Sequence, residues 1–180
     1  MNFWDIIRDR NRVNLMANGL MNKFVKVNLT TGNIEIKENY ENTIKHFLGG
    51  MGLATKMIWE KMKEYEKLGT NLAEMDALDP KNILIIGTGP GTGVTGFPSS
   101  GRHHIMTMKS PLTGSIGSAN SGGKFGAYMK KAGIDGIEIV GKAENPVYIT
   151  IFNGNVKIQD ASELWGKNVF ETDEILQDKH

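Results

Sequence analysis

Residues 24–37 alternate like an extended chain. Val25, Val27 and Leu29 share one parity, Phe24, Lys26 and Asn28 the other, and Ile34-Glu35-Ile36-Lys37 resumes the alternation after Thr30-Thr31-Gly32-Asn33. Two such runs joined by turn-forming residues predict a β-hairpin. The period then lengthens. Ile44, Phe47 and Leu48, and further on Leu53, Met57 and Ile58, recur at helical spacing, with Lys and Glu on the other face through Lys67. Gly49-Gly50 breaks the run, so two helices are expected within 41–67. Ile83–Ile86 is continuously apolar and predicts a strand buried on both faces. A glycine-rich loop follows over 87–101, then a strand over His103–Met108 and a turn at Ser110–Gly114. Residues Ala119–Gly123 lead into a short helix over Lys124–Ala132, which Gly133 closes. Strands are expected at Gly136–Val140, Val147–Phe152 and Val156–Gln159, the last two joined by the hairpin dipeptide Asn153-Gly154. Asp160-Ala161-Ser162-Glu163 has the spacing of a capping box opening a helical turn. Residues 168–178 read as helix.

These elements predict an α+β (mixed α/β) fold, largely antiparallel, with hairpins and a few short helices. The start of the chain is less regular. Phe3, Ile6 and Ile7 give weak helical periodicity over 1–20, followed by polar residues. The expected boundary therefore separates a poorly patterned leader, 1–22, which need not belong to the fold, from one domain over 23–180.

Composition narrows the function. The chain has 180 residues, 39% of them hydrophobic, and a formal net charge of +1. That suits one globular domain, with no global charge favouring nucleic acid or anionic membrane. Neither is expected as a partner. No apolar run approaches the roughly 20 residues of a membrane span, and residues 1–20 lack the apolar core of a signal peptide. A cytoplasmic protein is the expectation. The chain has no cysteine. Disulfides and thiolate ligation of zinc or of an iron–sulfur cluster by this chain are excluded. Glycine is in excess, at 22 residues against about 12 to 13 at the usual frequency of roughly 7%. Most of the excess lies in 87–136, where tight backbone geometry is expected.

Two nucleotide motifs are mimicked there and neither holds. Gly91-x-Gly93-x-x-Gly96 has the letters of a dinucleotide fingerprint, but Phe97-Pro98 follows where a helix must open. Gly123-Lys124 resembles the end of a Walker A loop, but the glycine required five residues earlier is Ser118, and Phe125 replaces the magnesium-binding hydroxyl. An anion site remains on physical grounds. Asn120 or Ser121 can cap the helix that follows, whose first amides lack partners and lie at the positive end of its dipole. Gly122 and Gly123 leave those amides open to a phosphate. Arg102 supplies a planar cation if its strand returns beside that helix. The alternative is that the glycines only make turns and Asn120 only caps.

Several segments in register resemble one family. Ser99-Ser100-Gly101-Arg102, Lys109-Ser110-Pro111-Leu112-Thr113-Gly114, Ala119-Asn120-Ser121-Gly122-Gly123 and Phe125-Gly126 resemble the N-terminal domain of aldehyde:ferredoxin oxidoreductases of the tungsten-pterin type. The likeness extends to Val25–Gly32, Leu48–Ala54, Ala132–Ile137, Gly141–Val147 and Leu164–Lys167, so it covers residues 23 to about 174. It implies an oxidoreductase domain that forms the base of a bis-pterin site holding tungsten or molybdenum, with magnesium joining the pterin phosphates. Arg102 and Asn120 are implied at the pterin phosphate, Asn120 near the magnesium, and Gly122 as a backbone contact. Ser121, Gly123 and Lys109 are weaker candidates. The family reaction oxidises an aldehyde to a carboxylate and passes electrons through a [4Fe-4S] cluster to ferredoxin. The cluster cysteines, substrate pocket and further pterin contacts lie in segments that this sequence lacks. The 180 residues are therefore expected to be incomplete at the C-terminus, inactive alone, and in need of a polypeptide supplying the missing domains. A separate non-catalytic subunit, a gene fragment and an unrelated phosphate-binding module stay open as alternatives.

Other residues carry no chemistry on this reading. His103 and His104 are neighbours on a strand and face opposite ways, so they cannot chelate one metal. His46 is expected on a helix surface, and Trp59 and Trp165 in the core. Asp135 and Glu138 fall on opposite faces, and the Lys/Glu run 60–67 reads as a solvated helix face.

Overall fold

A computed structural model describes residues 19–38, 41–96 and 98–180. The periodicity expected at residues 1–18 lies outside the described residues, as does Phe97. Among the described residues, eight strands and four helices follow in the order β1 (Lys23–Asn28), β2 (Ile34–Glu38), α1 (Glu41–Phe47), α2 (Gly50–Lys67), β3 (Leu84–Gly87), β4 (His103–Thr107), β5 (Gly117–Ser121), α3 (Phe125–Lys131), β6 (Gly136–Val140), β7 (Val147–Phe152), β8 (Asn155–Asp160) and α4 (Val169–Lys179). Six strands form one sheet in the order β2-β1-β6-β3-β4-β5, and β7 and β8 pair separately. Every pair is antiparallel except β1 with β6, which run parallel with Val25 opposite Ile137. The mixed, mainly antiparallel fold class holds.

Alternation along β1 decides the layers. Phe24 points to the face covered by α2, where it joins Leu53, Ala54, Ile58, Ile85 and Met106 in one core cluster. Val25 and Val27 point the other way, onto Met129 of α3, Ile134 and Ile137. Ile149, Ile151, Val156 and Ile158 of the β7–β8 hairpin cover that second cluster. The sheet thus lies between a helical layer and a layer of helix plus hairpin, the arrangement that buries both apolar faces. Residues 19–22, grouped with the leader on sequence, pack into this fold. Leu20 belongs to the first cluster, and the buried Lys130 ammonium reaches the Gly19 carbonyl.

The glycine break before α2 has a steric cause. Gly49 has φ 88°, and a Cβ there would lie 2.7 Å from the Thr88 carbonyl oxygen. That oxygen accepts from the Gly50 amide at 2.9 Å. Only glycine allows this approach of helix and glycine-rich loop.

Three expectations are corrected. Residues 117–121 form a strand instead of a lead into a helix: the sequence Gly-Ser-Ala-Asn-Ser has no β-branched residue, and pairing with β4 imposes the extended form. The tryptophans are not core. Trp59 is 54% exposed and Trp165 is 78% exposed, and the Trp59 ring lies 4.8 Å from the Lys63 ammonium. The capping box sits at Asn168, not Asp160. Asn168 and Glu171 exchange side-chain-to-backbone bonds of 3.0 and 2.9 Å. Asp160 instead accepts from the Ser162 amide and hydroxyl, and Glu163 pairs with Lys179.

Candidate anion site on the outer strand pair

Pairing of β4 with β5 sets His104 opposite Asn120 and Met106 opposite Ser118. Arg102 immediately precedes β4 and shares the parity of His104. Its guanidinium Nη1 donates to Asn120 Oδ1 at 2.8 Å. A Cβ on Gly122 would lie 3.9 Å from Arg102 Nε, so the bare glycine backbone runs beside the guanidinium. The expected juxtaposition of Arg102, Asn120 and Gly122 is present. Its cause differs from the expectation. Asn120 caps no helix; strand register brings it to Arg102. α3 begins only at Phe125, and its N-cap, Lys124, makes no side-chain capping bond.

The glycine-rich loop fixes Arg102 from behind. The buried Thr92 hydroxyl donates to the Arg102 carbonyl at 2.9 Å and accepts from the Gly89 amide at 3.2 Å. Gly93 donates to the Ser100 carbonyl at 2.7 Å. The loop then passes close to the start of α3. A Cβ on Gly101 would lie 2.0 Å from the Gly123 carbonyl oxygen, and one on Gly126 would lie 3.0 Å from the Gly101 oxygen and from Thr92 Cγ2. Glycines at 101 and 126 therefore permit the contact that holds segment 122–124 next to Arg102.

The donor set suits a phosphate. Arg102, Asn120, Ser121, Gly122 and Gly123 are all exposed. Among the described residues no carboxylate pairs with Arg102, and the amides of Gly122 and Gly123 have no acceptor. A guanidinium with one donor anchored and the rest free, beside open amides, matches a tetrahedral oxyanion. Among the described residues no cluster of three or more His, Cys, Asp or Glu is placed to hold a metal ion.

Two further residues belong to this surface. His104 Nε2 lies 2.8 Å from Ser118 Oγ, and His104 Nδ1 lies 3.4 Å from Asn120 Nδ2. Burial holds the His104 imidazole below its ordinary pKa, and the neighbouring His103 adds to this. The signal for these residues was the i, i+2 spacing of Arg102 with His104 and of Ser118 with Asn120. It is legible only once 117–121 is taken as a strand. Lys109 does not join them. Its ammonium donates to the Leu72 and Ala73 carbonyls at 3.2 and 2.7 Å.

The remaining expectations are simpler. His103 is buried on the opposite face from His104, with its ring 4.9 Å from that of Phe125. His46 is exposed. Asp135 and Glu138 are buried in separate ion pairs, with Lys130 and Lys37. On α2, Lys61 pairs with Glu64 at i,i+3 spacing. No described helix is long and apolar enough to cross a membrane.

The family model for the N-terminal domain of aldehyde ferredoxin oxidoreductase matches residues 24–180. The tungsten-containing aldehyde ferredoxin oxidoreductase of Pyrococcus furiosus is 45% identical over 159 residues, which are 88% of this chain and 24% of that protein. Its counterpart in Thermococcus kodakarensis is 44% identical over the same shares. The WOR-like subunit of the aliphatic sulfonate oxidoreductase of Pyrococcus furiosus is 36% identical over 83% of this chain and 22% of its own. Among solved structures, the active-site complex BamBC of benzoyl coenzyme A reductase, bound to 1,5-dienoyl-CoA, aligns with a TM-score of 0.77. The identity is 31%, over 90% of this chain and 23% of that one. The chain spans about a quarter of the length of the curated relatives it matches. With the family model covering nearly all of it, the chain belongs to the aldehyde ferredoxin oxidoreductase family and corresponds to the N-terminal domain.

Proposed function

We propose that this domain binds the phosphate end of a tungsten-pterin (or molybdenum-pterin) cofactor. The observation that carries the reading is the Arg102–Asn120 hydrogen bond beside the open backbone of Gly122 and Gly123. Arg102 provides charge and a fork of donors. Gly122 and Gly123 provide amides that no Cβ screens. Asn120 is the residue that would hold a magnesium ion bound with the pterin phosphates. Ser121 follows Asn120 with its side chain on the other face of β5, so it takes part through its backbone. The tungsten-containing relatives support the choice of cofactor.

Bound there, a metal-pterin would supply the redox chemistry for oxidising an aldehyde to a carboxylate, and a [4Fe-4S] cluster elsewhere in a complete enzyme would pass the electrons to ferredoxin. The chain's own part is to bind and orient. It has no cysteine, so thiolate ligands for such a cluster would have to come from other polypeptide.

The test is cofactor content. Protein from cells grown with tungstate is assayed for tungsten by mass spectrometry and for pterin by fluorescence after oxidation. Each charge-assisted contact contributes about 10- to 100-fold in affinity. Arg102→Ala and Asn120→Ala should therefore lose most of the cofactor while keeping a wild-type circular dichroism spectrum. Full cofactor content in both variants refutes the site.

A further inference from the structure

The Arg102–Asn120 contact continues into a chain of hydrogen bonds whose direction is forced. A guanidinium only donates. The Asn120 atom that meets Arg102 Nη1 at 2.8 Å is therefore its carbonyl oxygen. This turns the Asn120 NH2 group toward His104 Nδ1 at 3.4 Å. An amide NH2 also only donates, so Nδ1 must accept and the imidazole proton sits on Nε2. Nε2–H then donates to Ser118 Oγ at 2.8 Å. Donation runs one way throughout, from Arg102 through Asn120 and His104 to Ser118.

We propose that His104 is a positioning residue for the anion site, holding the Asn120 amide in the single orientation that presents its carbonyl to Arg102, with Ser118 fixing the His104 tautomer. The proposal rests on the phosphate-site reading above and deepens it. A flipped amide would set its NH2 group against the guanidinium and release it, and an accepting His104 Nδ1 adds to the bias against that flip. With Asn120 held, Nη1 is anchored and the remaining N–H groups of Arg102 keep one plane. A phosphate then meets a fork already in place, so less ordering is required on binding. His104 stands behind Asn120 and needs no contact with the ligand.

Two measurements on the full chain test this. The first is the His104 tautomer in the wild type, read from imidazole 15N shifts. We expect protonated Nε2 and bare Nδ1; a proton on Nδ1 overturns the inference, and no variant need fold for this result. The second is binding of inorganic pyrophosphate by calorimetry to variants that separate the two ring nitrogens. His104→Asn places a carbonyl oxygen near Nδ1, His104→Gln places an amide near Nε2, and His104→Leu offers neither. Losing one neutral hydrogen bond corresponds to about 3- to 10-fold. Affinity should fall by that factor in His104→Leu and His104→Gln and stay within about twofold in His104→Asn. A packing role would instead rank the variants by side-chain volume, and that ranking overturns the proposal. Arg102→Ala is run alongside. If it weakens binding and His104→Leu does not, the positioning role fails while the phosphate site stands. If wild type binds no better than Arg102→Ala, the phosphate site fails, and the tautomer alone decides the hydrogen-bond chain.

Discussion

Replacing Lys130 with methionine should cost about 3–5 kcal/mol of folding stability. The Lys130 and Asp135 side chains are 5% and 4% exposed. The ammonium donates to Asp135 Oδ1 and to the Gly19 carbonyl at 2.8 Å. Burial pulls the Lys130 pKa down, and the Asp135 charge and hydrogen bond oppose it. Methionine nearly conserves volume, so the loss is electrostatic rather than a cavity. It strands a buried carboxylate whose Oδ1 keeps one donor, the Met21 amide at 3.0 Å, and whose Oδ2 has none. The loss is a large share of the roughly 5–15 kcal/mol by which single domains are stable. It also loosens residues 19–21, because the Gly19 carbonyl loses the Lys130 ammonium as its donor. Urea unfolding of the full chain, followed by circular dichroism with the m-value checked, measures it. The double variant Lys130→Met/Asp135→Leu removes both charges and should recover at least about 2 kcal/mol of the loss. A single-variant loss below about 1 kcal/mol, or a double variant less stable than the single, refutes the reasoning.

Two glycines beside the anion site should separate stability from binding. Gly101→Ala drives a Cβ onto the Gly123 carbonyl and should cost about 1–3 kcal/mol in the same unfolding assay. Gly122→Ala meets nothing closer than Arg102 Nε at 3.9 Å; its stability should be unchanged while its cofactor content falls, because the methyl group occupies the ligand's side of the backbone. On α2, the Lys61 hydrogen bond holds the Glu64 carboxyl below its ordinary pKa. A depressed carboxylate stabilises above its unfolded pKa and loses that contribution as pH falls through the folded one. Glu64 is half exposed, so Glu64→Gln should cost no more than about 0.5 kcal/mol at neutral pH. Unfolding curves at several pH values should show that difference vanishing below the usual glutamate range.

Where local chemistry and tertiary context agree, the chain is legible from its letters. The period-two runs of β1 and β2, the helical stripe of α2, the Asn153-Gly154 turn and the left-handed Gly133 after α3 each specify a conformation within a few residues. Cysteine content decided the iron–sulfur question at once, since composition does not depend on folding. Segment-by-segment resemblance carried the family.

Contacts between segments far apart in sequence were settled by folding alone. Gly117–Ser121 has no intrinsic preference for a strand and becomes one because β4 offers it a free edge. That pairing, and no helix cap, brings Asn120 to Arg102 and adds His104 and Ser118 behind it. The parallel pairing of β1 with β6 and the burial of Leu20 likewise rest on partners more than a hundred residues away or on several elements at once. Trp59 and Trp165 stay at the surface although both are large and apolar. A residue type states which bonds it can make; only the folded chain states which partner arrives.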